Sequence, residues 1–140
     1  MPDMFVLDCS VAAKWVLPEP DRQPALSLFE QYTSGKILLI APDLLLAEFS
    51  SLVAKHHRRK LISAEQDTEA LALMTRCAPR ILETLPRLAR ALDLSLKYHL
   101  SLWDCVYLAV GQEYDCPVVT ADQRLFRAGK TGMPSVRLLQ

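Results

Sequence analysis

Apolar positions along this chain come in short blocks separated by polar breaks. Met4–Phe5–Val6–Leu7 is an apolar run that stops at Asp8, as a strand buried on both faces does. Ser10 opens a small helix through Val11, Ala12, Ala13 and Trp15, closed by Pro18. Pro20, Asp21 and Pro24 stand near the start of a second helix carrying Leu26, Leu28, Phe29 and Tyr32, and Gly35 ends it. Ile37–Ile40 reads as a second buried strand, and Pro42 as the start of a long helix reaching Arg59. Ser63 and Gln66 have the spacing of a capping box and open a helix lasting to Cys77. A third strand is expected over Ile81–Leu85, then helices from Pro86 to His99 and from Ser101 to Asp115. Pro117–Thr120 predicts a fourth strand, Ala121–Ala128 a short helix, and Val136–Leu139 a final edge strand. Short apolar strands alternating with helices predict an α/β fold, a mostly parallel sheet covered on both faces. No repeat or linker interrupts the 140 residues, so a single domain over 1–140 is expected.

Composition narrows the function classes. With 51% hydrophobic residues the chain can repay the entropy of ordering, which excludes general disorder. Sixteen basic residues balance sixteen acidic ones, so a polybasic nucleic-acid coat is excluded while a local basic patch is not. A neutral chain with a mean hydropathy of +0.12 fits self-association. No apolar run approaches the roughly 18 residues of a membrane span, and the first residues lack the order of a signal peptide. The cytoplasm is the expected compartment. Cys9, Cys77, Cys105 and Cys116 form no C-x-x-C pair and read as reduced thiols. Gly35, Gly111, Gly129 and Gly132 are dispersed and make no phosphate loop.

In open parallel sheets, ligands bind beyond the carboxyl ends of the strands. Asp8 and Asp122 fall there, just past the first and fourth strands. A carboxylate on an apolar helix face also needs an explanation, because burying an unpaired charge is costly. With Leu44 at zero and about 100° per residue, Leu45 lies near 100°, Leu52 near 80° and Glu48 near 40°. Glu48 thus points into an apolar stripe, either paired with a buried donor or placed for chemistry. The helix after Ser101 is apolar all round, and Asp104 is its one charge before Glu113. Asp104 either closes a capping box with Ser101 or serves a site. Asp8 and Asp122 have the equivalent alternative of capping the helices they precede. Four such acids together would repel one another unless a cation balanced them, and hard oxygen donors suit Mg²⁺ or Mn²⁺. Ser10 and Thr120 are placed to add hydroxyls.

These residues resemble a known family. Val6-Leu-Asp-Cys-Ser-Val-Ala-Ala-Lys-Trp15 is similar to the opening motif of PIN-domain ribonucleases, in particular the VapC type of bacterial and archaeal toxins. Ala41-Pro-Asp-Leu-Leu-Leu-Ala-Glu48 resembles their second motif, Trp103-Asp-Cys-Val-Tyr-Leu-Ala109 the third, and Val118-Val-Thr-Ala-Asp122 the fourth. Cys105 replaces a common Ala and Trp103 a frequent Tyr, leaving the acids intact. The resemblance implies an α/β/α sandwich and a Mg²⁺- or Mn²⁺-dependent endoribonuclease. Asp8, Glu48, Asp104 and Asp122 would hold the metal, Asp8 and Asp104 most directly. It also implies a homodimer and a cognate VapB-type antitoxin lying over the site. Two other classes stay open: a haloacid-dehalogenase-like phosphohydrolase, which would want a second acid where Ser10 stands, and a PIN-like module binding RNA or antitoxin with little hydrolysis.

Elsewhere the expectations are structural. The basic run Lys55–Lys60 ends its helix as favourable solvated charge, or else forms a phosphate-contacting edge. His56, His57 and His99 are expected at the surface or in packing, and Trp15 in the core or an interface. Arg124 and Arg127 default to solvated charge, with an RNA backbone or a partner as the alternative.

Overall fold

The computed structural model describes residues 2–129 and 135–140; Gly132 lies outside them. Among these residues five strands form one sheet: β1 (Asp3–Leu7), β2 (Ile37–Pro42), β3 (Arg80–Leu82), β4 (Val118–Thr120) and β5 (Val136–Leu138). Their order is β3-β2-β1-β4-β5, and every pairing is parallel. Parallel neighbours need crossovers, which seven helices among the described residues supply: α1 (Cys9–Val16), α2 (Gln23–Thr33), α3 (Leu44–Arg58), α4 (Ala64–Cys77), α5 (Leu88–Tyr98), α6 (Leu102–Tyr114) and α7 (Gln123–Ala128).

The strand order dictates the layers. From β1 the chain steps outward through β2 to β3, then returns past β1 to β4 and β5. Right-handed crossovers in opposite directions put their helices on opposite faces. Accordingly α1 to α4 pack on one another, while α5 packs on α6 and α6 covers β1, β2 and β4. The reversal lies between β1 and β4, where the crossovers diverge and leave a crevice at the strand ends.

Burial follows the apolar blocks. Val6, Leu7, Ile40, Val118 and Val119 are buried in the sheet, with Leu45, Phe49 and Met74 on one side and Val106, Leu108 and Val110 on the other. Trp15 sits in the core, its indole N–H donating to the Ala25 carbonyl at 2.9 Å and its ring beside Phe29 and Tyr32. The Ser63–Gln66 capping box forms with both of its hydrogen bonds. Gly35 takes a positive φ of 79° just past α2, a conformation that glycine adopts without a Cβ penalty.

Boundaries differ from the sequence expectations at several points, among them α7, which begins at Gln123 rather than Ala121. Pro42 ends β2 instead of opening α3, which begins at Leu44. The Asp43 carboxylate between them accepts from the Thr84 backbone N–H and hydroxyl, at 3.1 and 2.5 Å. The third strand is Arg80–Leu82, earlier and shorter than expected, and Leu85–Arg87 forms a 3₁₀ turn before α5. Pro86 lies inside that turn and α5 starts after it.

Candidate metal centre

Four elements bring the predicted acids to one pocket. It lies at the carboxyl end of the sheet and is lined by Asp8, Cys9, Ser10, Glu48, Ser51, Leu52, Asp104, Asp122 and Arg124.

Asp8 follows the last residue of β1 and is buried. The β1–β4 register pairs Leu7 with Val119, so the next residue on each strand faces the other. Thr120 therefore meets Asp8, donating from its hydroxyl to Oδ2 at 2.8 Å. The Ser10 hydroxyl donates to the same oxygen at 2.5 Å. Each hydroxyl also accepts a backbone N–H: Ser10 from Ala121 at 2.9 Å and Thr120 from Asp122 at 3.0 Å. A hydroxyl has one proton to give. With both protons aimed at Asp8, the two hydroxyls lock the end of β1 to the turn after β4. Asp8 occupies the N-cap position of α1, yet its side chain makes no capping hydrogen bond. Burial raises its pKa, opposed by the Ser10 and Thr120 hydrogen bonds, while the charge of Asp104 raises it further.

Glu48 projects from α3 at the margin of the stripe made by Leu45, Phe49, Val53 and His56. The buried hydroxyl of Tyr107, from α6, donates to its Oε1 at 2.6 Å. Sequence reasoning missed Tyr107. The available signal was its place one turn beyond Asp104 on the same helix, a spacing that aligns two side chains on one face. Burial raises the Glu48 pKa, the Tyr107 hydrogen bond lowers it, and Asp8 and Asp104 raise it.

Asp104 resolves into two parts. Its backbone N–H is capped by the Ser101 hydroxyl at 3.1 Å, so Ser101 is the cap. Its carboxylate turns to Arg124, whose Nη2 lies 3.1 Å from Oδ2. Burial raises its pKa, Arg124 and the Ser101 hydroxyl lower it, and Asp122 raises it. Asp122 caps α7, its Oδ1 accepting from the Arg124 N–H at 2.9 Å, while its Oδ2 lies 3.5 Å from the Arg124 guanidinium. Arg124 is thus a solvent-exposed cation paired with Asp104 and Asp122.

The other expectations sort simply. Cys9, Cys77, Cys105 and Cys116 are free thiols, and burial raises the Cys9 pKa and pushes Cys105 up to about 11. His57 is half-exposed and pairs with Asp67 at 2.5 Å. His56 departs from the exposed basic run: it is buried, with Nδ1 2.9 Å from the Leu52 carbonyl.

The donor set fits a hard divalent cation in its chemistry: oxygen ligands only, mutually repelling, with pKa values raised by burial and by one another. Among the described residues, no group of three or more His, Cys, Asp or Glu side chains stands together closely enough to hold an ion as placed. The carboxylates ring the pocket, and Arg124 already balances two of them.

Against known proteins, the family model for the PIN domain matches residues 5–131. A protein from Pyrobaculum aerophilum superposes with a TM-score of 0.72 at 16% identity, covering 96% of this chain and 83% of its own. A sarcin–ricin-loop-cleaving VapC toxin from Mycobacterium tuberculosis gives a TM-score of 0.68 at 16% identity, covering 89% and 95%. A toxin–antitoxin complex from Klebsiella pneumoniae gives 0.66 at 19% identity, covering 95% of each chain. At such identities the likeness establishes the fold. No curated protein matches the sequence.

Proposed function

The chain belongs to the PIN-domain family, and from that premise we propose that it is a Mg²⁺- or Mn²⁺-dependent endoribonuclease, the VapC-type toxin of a toxin–antitoxin pair. One observation carries the reading: four carboxylates from β1, α3, α6 and the β4–α7 turn line one pocket at the switch point of the sheet. The toxins among the structural neighbours support it, and family membership leaves the phosphohydrolase alternative without support.

Asp8 and Asp104 would hold the cation directly, with Glu48 and Asp122 completing the shell directly or through water. When bound, the cation supplies Lewis acidity to the phosphodiester and activates a water nucleophile. The chain's own residues do the positioning. Ser10 and Thr120 aim Asp8 and oppose the rise that burial puts on its pKa, since hydrogen bonds to a carboxylate favour its charged form. Tyr107 does the same for Glu48. Water would attack the phosphorus in line with the leaving oxygen, one P–O bond forming as the other breaks, with the water's proton lost to solvent and the leaving oxygen protonated from solvent, so no histidine is required.

Two partners follow from this reading. A VapB-type antitoxin would cover the pocket and insert an Arg or Lys among the carboxylates, displacing metal with the charge the cluster lacks. A homodimer is supported by the apolar side chains one chain leaves in water, Leu85, Leu92, Leu96 and Trp103. Light scattering should give twice the chain mass; a monomer at micromolar concentration removes the dimer. Among the described residues no helix is long and apolar enough to cross a membrane, and the cytoplasm is the compartment proposed.

The central test uses purified chain free of antitoxin and a pool of structured RNA hairpins. Cleavage should need Mn²⁺ or Mg²⁺ and stop on chelation. Asp8→Asn keeps the shape and removes the charge, so its rate should fall by roughly 100-fold or more. Parent-like cleavage by Asp8→Asn would falsify the site. Hairpin binding without any metal-dependent cleavage would favour a binding module.

A further inference from the structure

Arg124 is the one cation among the described residues that line the carboxylate pocket. Four acids and one guanidinium leave the pocket strongly negative, and a phosphodiester approaching it needs a positive group on its own side. In the free chain Arg124 faces inward, its Nη2 3.1 Å from Asp104 and 3.5 Å from Asp122.

The pairing is an exposed one on a fixed backbone. The backbone of Arg124 is pinned, because its N–H donates to the capping carboxylate of Asp122. The side chain is 70% exposed, and ion pairs so placed are weak because water screens them. Both contacts use Nη2 alone, whereas a guanidinium offers a fork of N–H groups that matches two phosphate oxygens. A divalent cation balancing Asp104 and Asp122 would remove what holds Arg124 inward. The side chain would then be a free cation on a fixed stem at the mouth of the pocket.

We propose that Arg124 is a parked phosphate-binding residue: it neutralises Asp104 and Asp122 in the free chain and turns to an RNA phosphate when a divalent cation takes those carboxylates over. The inference rests on the ribonuclease reading above and assigns the substrate side of that site. Parking and metal compete for the same carboxylates, so removing the guanidinium has opposite effects on the two ligands.

The experiment compares the parent with Arg124→Gln and Arg124→Lys. Calorimetric titration with Mn²⁺, without RNA, should show Arg124→Gln binding the ion about threefold tighter or more, since its competitor is gone. On the hairpin that the parent cleaves fastest, Arg124→Gln should raise KM about tenfold and leave kcat within about threefold, the pattern of a lost ground-state phosphate contact. Arg124→Lys should recover part of the KM, as a point charge without the fork. Unchanged or weaker Mn²⁺ binding by Arg124→Gln, or an unchanged KM, overturns the role of Arg124 while the parent's activity stands. A parent that neither binds Mn²⁺ nor cleaves RNA overturns the ribonuclease reading, and this proposal with it.

Discussion

At the scale of single residues, the acids of this pocket are held by partners far away in sequence. Asp104 shows how two roles at one residue separate. The cap belongs to Ser101, whose hydroxyl takes the Asp104 N–H, so Ser101→Ala should cost about 1 kcal/mol of stability and leave the Mn²⁺-induced rise in melting temperature intact. Asp104→Asn keeps that cap. It loses an exposed pairing with Arg124 but relieves a half-buried charge, so its metal-free stability should match or exceed the parent's. Its Mn²⁺ shift should shrink, because ligand binding to the native state sets that shift. Calorimetric melting of both variants, with and without Mn²⁺, distinguishes them. Tyr107→Phe removes one hydroxyl from a buried ring and leaves Glu48 without its donor. Urea titration should show a loss of roughly 1–2 kcal/mol. The Glu48 pKa should climb further, so Mn²⁺ binding by this variant should require a higher pH.

At the scale of elements, α6 matters most, because it carries both Asp104 and Tyr107 against the sheet. It is apolar all round because β1, β2 and β4 lie on one side of it and α5 on another. Gly111 lets it approach closely. A Cβ there would sit 2.9 Å from the Cys116 carbonyl oxygen and 3.3 Å from a Val118 methyl. Backbone cannot yield as a side chain tip does, so Gly111→Ala should lift α6 from the sheet at a cost of about 1–3 kcal/mol. Cleavage should fall at temperatures where the variant remains folded, since Asp104 and Tyr107 move with the helix. Thermal melting together with an activity assay at low temperature checks both parts. β1, β2 and β4 were legible because each is an apolar block between polar breaks, whereas β3 is only Arg80–Leu82 and was expected later. Pro42 misled because a proline that suits a first helical turn also suits a strand end, and its pairing with Leu82 in the β2–β3 register shows which it is.

At the scale of the whole molecule, the carboxylates couple through the pocket they share. Asp8, Glu48 and Asp104 all have raised pKa values, with burial as the largest cause. A raised pKa means that the folded state binds the proton more readily than the unfolded state does. The stabilisation is therefore fully present below the ordinary values of 3.8 for Asp and 4.5 for Glu and is lost as pH rises through the raised ones. Metal-free protein should accordingly gain stability from these groups on mild acidification from neutral pH. The gain should be smaller in Asp104→Asn, which has one such group fewer. Saturating Mn²⁺ should reverse the sign, because protons and the cation compete for the same oxygens. Melting curves across pH, with and without Mn²⁺, would show an unreversed sign if the ion does not bind these acids.

The sequence alone determined the alternation of strand and helix, and it placed Asp8, Glu48, Asp104 and Asp122 at strand ends or on apolar faces. Those features are local: hydrophobic period, helix-terminal residues and the cost of an unpaired charge can all be read within a few residues. Tertiary structure alone decided the strand order, which sets β4 rather than β2 against the site side of β1 and so joins Ser10 and Thr120 at one oxygen of Asp8. It also decided that Tyr107 serves Glu48, 59 residues away, and that Arg124 faces inward to Asp104, 20 residues away. Pairings of that kind depend on distances set by the packing of separate elements, and no pattern along the chain encodes which two side chains will meet.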